Sequence, residues 1–368
     1  MDVEYLHFYV KNATLWRDWF VKTLDFQPVS TTLFGSLSEF TVQSAQILIL
    51  ISSEKARKPA IKQFLHNHAE GVADVAFRVK NLDKFTAQIQ RGGGQLTHPV
   101  QYQKTALGVF RWCRIRGWGS VSHTLIEHQD NIHSVGNGQI TALRNHTATG
   151  WQKPKSSLPW ENIDHVVLNV PSGKLEQAVA WYENHLGFVR QQQFAITTPQ
   201  SGLRSFVLRH PQGNATLPIN EPTSRNSQIQ EFLDLHGGSG IQHVALRTQD
   251  LVKTVSLLRR RQVPFLSVPS TYYQQLRKRP GFWQEAGDWE EIAQQQILVD
   301  WPSDEPQTRL LQTFTLPLFE QPTFFWEVIE RQTKMTSSGM RRAEGFGAGN
   351  FQALFEAIER EQQQRGSL

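Results

Sequence analysis

The chain is expected to fold as α+β in two related halves, and three features of the sequence carry that expectation. Strand-like runs alternate with amphipathic stretches of helical period. The alternation recurs along the chain with recognisable similarity. The 368 residues also exceed what one hydrophobic core usually holds, so two domains are the default.

The first repeated unit is "EYLHFYVKNATLWRDWFVKTLDF", Glu4 to Phe26, which resembles "DHVVLNVPSGKLEQAVAWYENHLGF", Asp164 to Phe188. Each reads as a strand, a turn and an amphipathic helix ending in Leu-Asp-Phe or Leu-Gly-Phe. Next, "GVADVAFRVKNLDKF" from Gly71 to Phe85 matches "GIQHVALRTQDLVKT" from Gly240 to Thr254 without a gap. Last, "VSHTLIEHQ" from Val121 aligns with "TFFWEVIERQ" from Thr323 through the shared Ile-Glu of Ile126-Glu127 and Ile329-Glu330. Each half thus contains two strand–helix–strand modules. Residues 131–160, with "GNGQ", "TATG" and "KPKSSLP", are polar and turn-rich and read as a linker between residues 1–130 and residues 161–368.

Composition narrows the function. Hydrophobic content of 39%, with 22 Phe and 11 Trp, is enough to fill two cores. The single cysteine, Cys113, excludes an intrachain disulfide framework and suits a reducing cytoplasm. "MDVEYLHFYV" does not read as a signal peptide, and no run approaches the length of a membrane span. The net charge of +5 is modest, and the basic clusters at Leu257–Gln262 and Gln275–Pro280 read as solvated helix ends. Neither nucleic acid nor membrane is expected as a partner.

One strand poses a chemical question. In "PTFFWEVIERQ", Pro322 to Gln332, the residues Thr323, Phe325, Glu327 and Ile329 share one face. An unpaired carboxylate between Phe and Ile would cost several kcal/mol. The aligned repeats suggest what stands opposite it. The second half carries His165, His243 and Glu327 where the first carries Tyr5, Asp74 and Thr124. A lone strand histidine is usually a satisfied core residue, and a buried Glu usually pairs with Arg or Lys. Three such residues at matching places in three strands point instead to a metal kept in one half and lost from the other. Two His and one carboxylate form the facial set that suits Fe(II), with zinc open on ligand type alone. His66, His68, His123, His128, His185 and His236 have no comparable setting and read as surface or loop residues.

Several ordered blocks then make the chain resemble the 4-hydroxyphenylpyruvate dioxygenase family, of the vicinal oxygen chelate fold. They include "DHVVLNV", "LPINEP", "SQIQEFLDLHGGSGIQHVAL", "PSTYYQQLRKR", "ILVDWP", "LLQTFTLPL", "PTFFWEVIER" and "GFGAGNFQALFEAIEREQ". The resemblance is dense from Asp164 to Gly366 and weak in the first half. Trp301 and Trp326 depart from it, both beside rather than on the expected site. It implies two domains of repeated βαβββ modules, each an open, curved, half-barrel-like sheet, with the catalytic site and a closing C-terminal helix in residues 161–368.

The resemblance further implies one Fe(II) per chain on His165, His243 and Glu327, and a pocket for a planar phenol. Ser205, Pro218, Asn220 and Gln228 would lie on the substrate side, with Phe314, Phe325, Phe351 and Leu354. Gln242, Gln312, Phe346 and Asn350 would serve catalysis. The glycines of "GFGAGN" lack the βαβ setting of a nucleotide loop and read as a tight loop before a helix that Asn350 caps. Phe351, Leu354, Phe355 and Ile358 would form that helix's apolar stripe. The reaction implied is conversion of 4-hydroxyphenylpyruvate and O2 to homogentisate and CO2. Hydroxymandelate synthesis from the same substrate is the nearer alternative, and a metal-free binding protein of the same fold the more distant one. A dimer or tetramer is the expected assembly.

Overall fold

A computed structural model describes residues 1–29, 38–105, 108–129, 157–282, 288–302, 308–336 and 339–367. The expected linker, residues 131–160, lies outside the described residues up to residue 156.

The first half runs β1 (Asp2–Tyr9), α1 (Ala13–Leu24), β2 (Gln27–Val29), β3 (Phe40–Ser44), β4 (Ile47–Ser52), α2 (Pro59–Asn67), β5 (Gly71–Arg78), α3 (Leu82–Arg91), β6 (Leu96–Thr105), β7 (Gly108–Arg116) and β8 (Ser122–Gln129). The second opens with β9 (Trp160–Asn169), α4 (Leu175–Leu186), β10 (Val189–Thr197), β11 (Gly202–Arg209) and β12 (Thr216–Pro222). It continues with α5 (Gln228–His236), β13 (Gly240–Thr248), α6 (Leu251–Arg260), α7 (Ser270–Leu276), α8 (Trp289–Gln294) and β14 (Leu298–Asp300). It closes with β15 (Leu310–Phe314), β16 (Phe325–Arg331), β17 (Thr333–Thr336), β18 (Gly339–Arg342) and α9 (Ala348–Arg365).

Each half builds one 8-stranded sheet, ordered β2-β3-β4-β1-β5-β8-β7-β6 and β10-β11-β12-β9-β13-β16-β15-β14. The orders are identical in pattern: two βαβββ modules meet at their first strands, β1 with β5 and β9 with β13. This is the two-copy arrangement that the repeats predict, built from the βαβββ modules that the family resemblance implies.

The Leu-Asp-Phe and Leu-Gly-Phe endings prove to be matching helix stops. Asp25 after α1 and Gly187 after α4 take left-handed conformations, with φ of 64° and 72°. Glycine adopts that conformation freely, whereas Asp tolerates it at some cost.

Alternation along the central strands sorts side chains to two faces. Leu6 and Phe8 of β1, Val166 and Leu168 of β9, Val244 and Leu246 of β13, and Trp326 and Val328 of β16 enter one core shared by both halves. Phe8 meets Phe324 and Trp326 across the halves at ring-centroid distances of 5.2 and 5.8 Å. Trp326 therefore points away from the candidate site. Glu327 and His165 emerge on the opposite face, away from that core.

Several histidines read from sequence as surface residues are buried where the halves meet. His123 bonds the Val75 carbonyl and the Tyr182 hydroxyl, each at 3.0 Å. His185 bonds the Gly92 carbonyl at 3.1 Å, and His236 stacks on His68 with centroids 5.1 Å apart. These partners are distant in sequence, so only the packing of one half on the other creates the polar niches they fill.

Candidate active site

Three adjacent strands of the second sheet bring the candidate ligands together. His165 on β9, His243 on β13 and Glu327 on β16 are all buried, with ligand atoms within 4.8 Å of one another. Glu327 Oε2 faces both imidazoles, 3.2 Å from His165 Nε2 and 3.6 Å from His243 Nε2.

The backbone is irregular beside two of them. On β13 the pairing with β9 skips Gln242, and on β9 it skips Asp164. A β-bulge breaks strict alternation and re-aims the residue beside it. Asp164 can thereby reach its own neighbour and accept a hydrogen bond from His165 Nδ1 at 3.0 Å. That bond fixes the ring and leaves Nε2 for a metal. The first sheet carries the same two bulges, skipping Glu4 and Ala73.

Charge in the cluster is self-consistent. Burial opposes ionisation of His165, but Glu327 and Asp164 hold its pKa up at about 9. Burial likewise opposes the Glu327 charge, yet the two imidazoles hold its carboxyl down at about 2. For His243 burial prevails and its pKa is lowered. Gln312 Nε2 donates to Glu327 Oε1 at 2.8 Å, leaving Oε2 as the oxygen that faces the histidines. Two imidazoles, one hard carboxylate and this supporting layer fit a single divalent metal ion well.

The matching place in the first half is closed by the protein itself. Asp74 stands where His243 does, and accepts hydrogen bonds from Thr124 at 2.6 Å and Tyr5 at 3.2 Å. The Arg114 guanidinium, 3.4 Å from Asp74, supplies the positive charge.

Beside the cluster lies a narrow cavity of about 30 Å³. Ser205, Pro218, Asn220, Gln312, Phe314, Phe346, Phe351 and Leu354 line it together with the three candidate ligands. Ser205 and Asn220 are register partners on β11 and β12. Ser205 Oγ and Asn220 Oδ1 are buried and have no hydrogen-bond partner among the described residues. Such atoms cost free energy unless something binds them.

Four expected site residues are placed one layer back. Phe325 stacks on His243 with centroids 4.7 Å apart, bracing the imidazole. Gln242 is the bulged residue beside His243, and Gln228 sits in the first turn of α5, both buried. Asn350 does not cap α9, which starts from Gly347. Its amide lies inside the helix and donates to Gln312 Oε1 at 2.8 Å, while the Tyr272 hydroxyl donates to its Oδ1 at 3.2 Å.

Three lining residues escaped the sequence reading: Val167, Phe194 and Val207. Val167 and Val207 lie two residues beyond His165 and Ser205, so strand alternation alone could have found them. Phe194 arrives by pairing of β10 with Ser205 on β11, which no local signal announces.

Residues 162–280 match the family model described as Glyoxalase/Bleomycin resistance protein/Dioxygenase superfamily. The 4-hydroxyphenylpyruvate dioxygenase of Caenorhabditis elegans is 35% identical over 99% of this chain and 93% of its own length. That of Neurospora crassa is 38% identical over 83% of this chain and 73% of its own. Among solved structures, a variant of 4-hydroxymandelate synthase from Streptomyces coelicolor matches with a TM-score of 0.79 at 24% identity, covering 98% of both chains, which is a likeness of fold.

Proposed function

This chain belongs to the 4-hydroxyphenylpyruvate dioxygenase family, and we propose that it converts 4-hydroxyphenylpyruvate and O2 to homogentisate and CO2 using one Fe(II) per chain. The observation that carries the reading is the buried His165–His243–Glu327 cluster opening onto a cavity walled by aromatics with orphaned polar atoms. Held there by His165, His243 and Glu327, ferrous ion would supply the activation of oxygen.

The remaining work falls to side chains. Phe314, Phe346, Phe351 and Leu354 take the ring between apolar walls and keep water from the reacting centre. Ser205 Oγ and Asn220 Oδ1 receive the phenol hydroxyl, with Gln228 behind them. Asn220 Nδ2 is already committed to Asn169 Oδ1 at 3.3 Å, which orients the amide with its oxygen free. Gln312 and Asn350 hold Glu327 in place, and Gln242 orients the keto-acid end. The atoms balance: one oxygen of O2 ends in the new ring hydroxyl and the other in the new carboxylate, as CO2 leaves.

No described helix is long and apolar enough to cross a membrane. The buried free thiol of Cys113 supports a reducing cytoplasm as the working compartment. Incubating the protein with Fe(II), O2 and 4-hydroxyphenylpyruvate and identifying the product tests the reaction. Homogentisate is expected. Hydroxymandelate as the main product would replace this assignment, and no product from metal-loaded protein would remove it.

A further inference from the structure

Behind the metal-facing residues, one guanidinium joins a candidate ligand to the entry of the C-terminal helix. Arg331, at the end of β16, grips both oxygens of Asp164, from Nε at 2.8 Å and from Nη2 at 2.7 Å. Asp164 in turn accepts the Nδ1 proton of His165 at 3.0 Å. The remaining arm of Arg331, Nη1, donates to the Gly345 carbonyl at 2.8 Å. Its charge also stands 6.0 Å from the centre of the Phe346 ring. Phe346 closes the circuit, its ring edge-on to His165 with centroids 4.8 Å apart.

The backbone just beyond turns through a conformation that requires glycine. Gly345 and Gly347 have φ of 74° and 61°, and a Cβ on Gly347 would fall 2.9 Å from Asp300 Oδ2. Only glycine fits there without strain.

The first half serves as an internal comparison. Glu4 and His128 occupy the places of Asp164 and Arg331 and bond at 2.9 Å. A carboxylate bonded to the matching residue two strands across is therefore part of how both sheets are built. Glu4 divides its oxygens between the His128 imidazole and the Arg78 guanidinium, 3.1 Å away, whereas the single Arg331 fork serves both Asp164 oxygens and keeps an arm to spare. Among the described residues, the spare arm on the Gly345 carbonyl and the carboxylate's bond to a ligand-bearing histidine occur in the second half only.

We propose that Arg331 is a positioning residue that couples seating of the Gly345–Gly347 turn to the orientation of His165. With the turn and Phe346 in place, the fork holds Asp164 and so the imidazole in its metal-ready tautomer. With the turn displaced, the ring loses both its edge-on neighbour and its tethered acceptor. The proposal rests on the metal reading given above.

Hydrogen exchange of the metal-free protein, paired with anaerobic Fe(II) titration, tests it on wild type and Arg331→Lys. Lysine keeps the charge and loses the fork. In the variant, amides of residues 345–352 are expected to exchange about tenfold faster or more, with those of β13 unchanged. The Fe(II) dissociation constant is expected to rise about 10- to 100-fold. A change in only one of the two readouts, or in neither, overturns the coupling. If Arg331→Lys does not fold, Asp164→Asn is read in the same way, because an amide offers one acceptor oxygen instead of two. Wild-type protein that takes up no Fe(II) would remove the metal reading itself, a failure distinct from normal wild-type uptake with an indifferent variant.

Discussion

Gln312 donates a hydrogen bond from Nε2 to Oε1 of Glu327 at 2.8 Å, and both side chains are buried. The bond divides the carboxylate's work, since Oε1 is spent on the amide and Oε2 is left to face His165 and His243. Gln312 is itself held by Asn350 of α9 at 2.8 Å. The C-terminal helix thus reaches one ligand through amides, as its entry reaches another through Arg331.

Gln312→Leu should remove that support without opening a cavity. Glu327 Oε1 would be left buried and unpaired, so Fe(II) affinity should fall about 10- to 100-fold. Anaerobic titration of the folded variant checks it. Wild-type affinity would show that the amide plays no part in aligning the carboxylate.

The two halves should respond oppositely to loss of their matching residues. His165→Ala should abolish metal uptake from about one ion per chain, because it removes a ligand and leaves Glu327 without its nearer imidazole. Asp74→Ala should leave metal content intact but cost about 3 kcal/mol of stability, since it takes the buried carboxylate partner from the partly buried Arg114. Elemental analysis and denaturant melts separate the effects. Metal lost from the Asp74 variant, with its fold retained, would contradict the assignment of the site to one half.

These residues also mark how far the sequence could be read. The triad was legible because the repeat set His165, His243 and Glu327 against Tyr5, Asp74 and Thr124, so chemistry stood out from shared scaffold. The two matching halves followed from the same repetition, and the βαβββ build of each sheet from the family resemblance. What was hidden depends on chain-distant packing. Nothing near His123 or His185 in sequence announces Tyr182 or Gly92 as partners. The pairing of Asp164 with Arg331 needs a bulge and a strand neighbour two places across the sheet. Asn350 looked like a cap because Asn favours caps, but tertiary contact with Gln312 overrode that local preference.

Metal uptake should be coupled to proton release. In the metal-free protein the His165 pKa is raised to about 9, above its usual 6.5. Its proton therefore stabilises that state fully below pH 6.5, and this contribution disappears as pH rises through about 9. A metal needs the neutral ring, so binding near pH 7.5 must displace the proton. About one proton per Fe(II) is expected, with affinity rising close to tenfold per pH unit between 6.5 and 9. Calorimetry in buffers of different ionisation enthalpy measures it. Uptake that is independent of pH across this window would show that His165 carries no proton in the metal-free state.

The sharpest prediction concerns which carbon is oxidised. The proposed substrate offers the ring and the benzylic carbon to the same oxidant, and a barrier difference of about 1.4 kcal/mol changes their product ratio tenfold. Small displacements of the ring can therefore choose the outcome. Phe346 lines the cavity and lies edge-on against His165 at 4.8 Å, so it touches both the ligand-bearing side and the space the ring would fill. Replacing it with Ile or Val shortens that wall while keeping it apolar, which gives the ring room to shift. Phe346→Ile should divert part of the product from homogentisate to hydroxymandelate, with total turnover lowered and Fe(II) content retained. Product analysis by chromatography against both standards decides it. Homogentisate alone, formed at an unchanged rate, would show that Phe346 does not steer the reaction and that the ring is fixed from its phenol end by Ser205 and Asn220.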